Sequence, residues 1–184
     1  MLDVGNVFIL GDSYSTFENH IPEGYTAWYS EQKKEETDVC RVEEMWWYGF
    51  LNETKSNLLL NSSYSGMTIC NTGYNGVDNT LRSFIDRLDS LIENGYFKDN
   101  RVDTFIVFGG TNDSWLDAPV GELMYSGWKR EDLYFALPAV CYLLYRIKTY
   151  IPDARLLFIL NTELKKQIAE GYKTACREYG GKYA

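Results

Sequence analysis

Val7-Phe8-Ile9-Leu10-Gly11-Asp12-Ser13-Tyr14-Ser15 is the stretch from which the rest of the chain is read. Four apolar residues, β-branched ones among them, predict a short buried strand that a glycine stops. The exit into Gly-Asp-Ser sets a serine hydroxyl just past the strand's C-terminal end. In an open α/β sheet that crevice is where ligands bind. A helix starting a few residues later would aim free N–H groups at the same point and favour an anion there. An ordinary strand-to-helix turn with a capping serine would begin in the same way.

Outward from this stretch the chain alternates. Met45 to Lys55 reads as a compact apolar helix, and Asn57-Leu58-Leu59-Leu60-Asn61 as a second strand running into Ser62-Ser63-Tyr64-Ser65-Gly66. A glycine and asparagine loop spans Met67 to Gly76. Leu81, Phe84, Ile85, Leu88, Leu91 and Ile92 then follow helical spacing up to Gly95. Thr104-Phe105-Ile106-Val107-Phe108 is the strongest strand, and it exits into Gly109-Gly110-Thr111-Asn112-Asp113. Ser114 to Arg130 reads as an inserted loop. Leu133, Leu137, Val140, Cys141, Leu144 and Ile147 mark a helix that Pro138 kinks or starts. Ala154 to Leu160 is a fourth strand, Asn161-Thr162 a helix cap, and Leu164 to Tyr179 the last helix. Lys182-Tyr183-Ala184 reads as a fifth strand beginning. Alternating strands and helices predict an α/β fold: a parallel sheet of four to five strands between helices on both faces, joined by right-handed crossovers.

Composition narrows the function. With 184 residues, 45% hydrophobic and 24% charged, residues 1–184 can bury one core as a single domain, and disorder is not expected. A net charge of −8 argues against non-specific nucleic-acid binding and against anionic membrane surfaces. No apolar run reaches membrane-spanning length, so no membrane insertion is expected. Cys40, Cys70, Cys141 and Cys176 lack metal-ligand spacing, and His20 is the sole histidine, so neither a metal site nor a cofactor is expected. The first strand begins almost at once and leaves no room for a signal peptide. That points to the cytoplasm, although a processed chain would read alike.

Three strands thus exit into loops carrying Ser13, Gly66 and Asn112, and in a parallel sheet all three exits share one edge. A serine oxygen can attack an ester carbonyl, while the N–H groups of Ser13 and Gly66 and the Asn112 amide can face the oxyanion that develops. These residues resemble the SGNH hydrolases, the GDSL-type esterases and lipases. Gly11-Asp12-Ser13-Tyr14-Ser15 resembles the family's first block, Gly66 its second, and Gly110-Thr111-Asn112-Asp113 its third. The resemblance implies a flavodoxin-like three-layer fold and hydrolysis of small O-acyl esters, with the acyl group on a carbohydrate or lipid. Trp115, directly after the third block, is a candidate wall for the small-molecule ester substrate.

The family's fourth block, Asp-x-x-His, supplies its base and has no counterpart up to Ala184. The expectation is therefore a chain shortened at its C-terminus and an impaired esterase, since losing a triad member leaves about 10³–10⁴ over water. A four-strand sheet ending there would expose an edge on which another copy could pair. His20, seven residues past Ser13 and beside Pro22, reads as a surface loop residue rather than as a substitute base. Two rival readings are a non-catalytic ligand-binding relic of the fold and a flavodoxin-like FMN protein. In the latter, Ser13-Tyr14-Ser15-Thr16 would cradle a phosphate.

Overall fold

The structure is a computed structural model that describes residues 4–33 and 35–184. Met1–Asp3, on which the expectation about a leader partly bears, lie outside the described residues. Five parallel strands form one sheet in the order β2-β1-β3-β4-β5: β1 Asn6–Gly11, β2 Asn57–Ser63, β3 Thr104–Phe108, β4 Arg155–Ile159 and β5 Lys182–Tyr183. β1 and β3 are central and carry near-continuous apolar runs because both their faces are covered.

The two faces are filled by alternate residues of the same strands. Phe8, Leu10, Phe105, Val107 and Phe158 point to one side, where they meet buried residues of α2 (Phe84–Glu93), α5 (Ala136–Tyr150) and α6 (Lys166–Glu178). Val7, Ile9 and Ile106 point to the other and pack with Phe17, Met45 and Trp47, the last on α1 (Trp46–Thr54). The handedness of crossovers explains the division. The β1→β2 connection moves one way along the sheet, and every later connection moves the other, so right-handed crossovers put α1 opposite the rest. The result is the expected three-layer α/β sandwich.

Several local expectations are corrected. Leu81 is 83% exposed and lies ahead of α2, because the Ser83 hydroxyl accepts the Asp86 N–H and caps the helix there. A short helix, α3 (Tyr96–Asp99), follows Gly95 and covers Phe8 with Tyr96 and Phe97. Ser114 and Trp115 belong to α4 (Thr111–Trp115), not to a loop. Of the two alternatives for Pro138 the helix start holds: it sits in the first turn of α5, where its missing N–H costs nothing. α6 starts at Lys166 rather than at Asn161-Thr162. The edge of β4 is not bare: Lys182 and Tyr183 pair with Leu157 and Phe158, and Leu160 N–H reaches the Ala184 carbonyl at 3.0 Å.

Candidate active site

β1 and β3 are neighbours whose outgoing connections run in opposite directions, so the crevice beyond their C-terminal ends is the sheet's switch point. There the structure brings Ser13, Gly66, Asn112 and Trp115 together in one cleft of about 370 Å³. Tyr14, Trp28, Tyr29, Ser65 and Tyr74 complete its lining. The walls are aromatic, and Trp28, Tyr74 and Trp115 keep 46%, 44% and 54% of their surface exposed.

Each block is held by a local device. Gly11 ends β1 where an added Cβ would strike the Ser63 hydroxyl and, at 2.7 Å, the Ser15 side chain, so only glycine lets these segments approach this closely. Asp12 Oδ1 then accepts the Tyr14 N–H at 3.1 Å and caps the 3-10 turn Ser13–Ser15. Gly66 adopts the left-handed region, with φ +78°. Among the described residues, neither the Ser13 nor the Gly66 N–H donates to another protein group, so both remain for a ligand. Gly110, with φ +96°, launches α4, whose second residue is Asn112. Asp113 anchors that helix, its two oxygens accepting the N–H groups of Ile69 and Cys70 at 2.9 and 3.0 Å. The third block is thereby fastened to the loop that follows the second.

Beneath the cleft lies a buried charge that pattern reading missed. Arg87 of α2 donates to the carbonyl oxygens of Ser62, at the end of β2, and of Gly11, at the end of β1, the latter at 3.2 Å. Burial pulls its guanidinium down to about 10. Its signal was a cation three residues after Phe84, on the stripe that should be apolar.

Asp12 is wholly buried close by, and burial pushes its carboxyl up to about 7 against the opposing Tyr14 N–H. Between the ordinary value of 3.8 and about 7 the folded chain holds a proton that the unfolded chain has released. Stability from this group is therefore full below 3.8 and is lost as pH rises through 7. Asp12→Asn is expected to flatten that fall by roughly a few kcal/mol between pH 4 and 8. Urea midpoints of both proteins at the two pH values test this, and parallel profiles would clear Asp12 as the source.

The sequence-level substitutes do not reach the site. His20 is exposed and packs against Phe17 and Trp47 at 5.9 and 6.0 Å between ring centres, away from the cleft lining. The phosphate cradle is already occupied from within. Ser15 accepts Trp46 Nε1–H at its hydroxyl and Trp47 Nε1–H at its carbonyl, while the Thr16 hydroxyl donates to Ser13 O and accepts from Trp28 N–H. With Ser15 and Thr16 buried and committed, the FMN reading loses its site. All four cysteines are free, and among the described residues no group of three or more His, Cys, Asp or Glu could hold a metal. No helix of the described residues is long and apolar enough to cross a membrane.

Comparison with known proteins agrees with this geometry. The GDSL-like lipase/acylhydrolase family model matches residues 5–183. The solved structure of a protein from Bacteroides uniformis described as a GDSL-like lipase superposes with a TM-score of 0.89 at 45% identity, covering 97% of this chain and 81% of that one. Another so described, from Bacteroides ovatus, gives 0.89 at 40% identity, covering 97% and 83%. An acetyl xylan esterase from Butyrivibrio proteoclasticus shares the fold alone, with a TM-score of 0.56 at 14% identity, covering 100% and 55%. No curated protein matches. A family match over almost the whole chain, its glycine, serine and asparagine blocks meeting at one sheet edge, makes this chain a member of the GDSL-like lipase/acylhydrolase family.

Proposed function

We propose that the protein is a serine acyl hydrolase acting on small O-acyl esters, with Ser13 as nucleophile. Its oxyanion donors are the N–H groups of Ser13 and Gly66 and the side-chain amide of Asn112. The observation that carries this reading is the meeting of these three residues in one cleft at the switch point. Ser13 Oγ attacks the acyl carbon and yields its proton to a base. The carbon–oxygen bond to the alcohol then breaks, and the alcohol leaves with that proton. Water hydrolyses the acyl-serine to the free acid and restores Ser13. The aromatic walls favour an alcohol with flat apolar faces, such as a sugar ring, or the apolar surface of a lipid, with Trp115 packing against it.

The base is the weak link. Asp12 titrates near 7 but is fully buried, caps the Ser13 turn and does not line the cleft. His20 faces elsewhere. His20 thus lies outside the cleft, and the alternative to turnover is that the cleft holds an ester without hydrolysing it.

Intact mass before and after a fluorophosphonate probe separates the two. The 184-residue chain is expected to gain one phosphonyl group at Ser13, slowly, and faster when imidazole is added as an external base. Ser13→Ala should gain none. A wild-type chain unmodified even in imidazole would leave only the ligand-holding reading.

A further inference from the structure

The Asn112 amide has one carbonyl oxygen and two hydrogens, and the structure accounts for all but one hydrogen. Nδ2 donates to the Met67 carbonyl oxygen at 2.9 Å, and Oδ1 accepts from the Tyr74 hydroxyl at 2.8 Å. The second Nδ2 hydrogen is left for the cleft, which both residues line. We infer that Tyr74 is a positioning residue for acyl transfer: its hydroxyl fixes the Asn112 amide and sharpens it as an oxyanion donor. This rests on the function proposed above.

Two physical effects support it. An asparagine amide turned by 180° would point its oxygen at the Met67 carbonyl, and the hydroxyl bound to Oδ1 adds a second restraint in the productive sense. A hydroxyl donating to Oδ1 also draws electron density from Nδ2. The chain from Tyr74 O–H through the amide to an oxyanion therefore strengthens along its length as negative charge develops.

The location of Tyr74 is hard to explain as core packing. It opens the 3-10 turn Tyr74–Gly76 between β2 and α2 and remains partly exposed. That turn is stiff: Asn75 and Gly76 are left-handed, and Gly73 N–H donates to the Val77 carbonyl at 2.8 Å. Thr72 and Asp78 pair as an isolated bridge at its base. The ring is thus held out over the cleft by a braced hairpin, and the hydroxyl's hydrogen bond goes to Asn112.

The test is the rate of Ser13 phosphonylation in imidazole for wild type, Tyr74→Phe, Asn112→Ala and the double variant. Phenylalanine keeps the wall and removes only the hydroxyl. Tyr74→Phe is expected to slow labelling about five- to twentyfold, less than the 10²–10³ typical of losing a donor outright. The probe concentration for half-maximal rate should not change. In the Asn112→Ala background the same change should slow nothing further, because the hydroxyl acts through Asn112. A Tyr74→Phe protein that labels at the wild-type rate overturns the inference, as does equal slowing in both backgrounds. A wild type that never labels at Ser13 removes the function beneath it as well, so the two failures are distinct.

Discussion

Asn112→Ala is expected to slow phosphonylation of Ser13 by about 10²–10³-fold, the effect typical of removing one oxyanion donor. The cause is geometric. Asn112 lies on α4, a helix whose position is fixed by Gly110 behind it and by Asp113 bonding across to Ile69 and Cys70. Its amide is therefore preorganised and needs no reorientation as charge appears. Alanine leaves the Met67 carbonyl and the Tyr74 hydroxyl without their partner, which costs stability about 1 kcal/mol per bond. A thermal melt separates that modest loss from the larger kinetic one. Asn112→Asp sharpens the distinction, since a carboxylate in place of the amide would oppose an oxyanion by charge as well as lose the donor. An Asn112→Ala chain labelled at the wild-type rate would remove the side chain from the proposed oxyanion hole.

The convergence of the three blocks was legible because it depends on little more than strand direction. Thr104–Phe108 is a threonine followed by four apolar residues and bounded by Gly109-Gly110, and the structure reproduces it residue for residue as β3. Once helices alternate with such strands, the sheet must be parallel and every exit shares an edge. Local choices decided by distant partners were not legible. Helical spacing ran one turn too far at Leu81 because periodicity cannot tell which of several polar residues caps, and Ser83 does so here. Thr111–Trp115 has loop-like composition, yet Asp113 finds backbone donors on another segment and the helix forms. Arg87 breaks an apolar stripe, and charge on a helix is read by default as facing water. Its carbonyl partners lie 25 and 76 residues away, at the ends of two strands. Tyr74 was invisible as a site residue for the same reason: its direction is set by the left-handed Asn75 and Gly76 and by the bridge below them.

Away from the reacting groups, Gly110→Ala is expected to destabilise the fold by roughly 2–6 kcal/mol. Two independent costs add. With φ at +96°, the backbone lies where a side chain is strained by about 1–3 kcal/mol. An added Cβ would also stand 2.6 Å from the Tyr172 ring, which is fully buried on α6 and packed on Phe158, so it has nowhere to swing. Overpacking of this kind costs about another 1–3 kcal/mol. Gly66 provides the control. It shares the left-handed backbone, but an added Cβ there meets nothing within 4 Å, so Gly66→Ala should cost only the strain, about 1–3 kcal/mol. Denaturant midpoints of the two variants measured side by side test this reasoning: equal losses would mean that backbone strain alone sets both, and that Tyr172 yields. The functional consequence separates them in the opposite sense. Where Gly110→Ala still folds, relief of the clash must push α4 away from α6, carrying Asn112 with it. Gly66→Ala leaves Asn112 in place and acts on its own N–H alone. The glycine of the third block thus does its work through packing, and that of the second block through an open backbone, though both read as the same letter in the sequence.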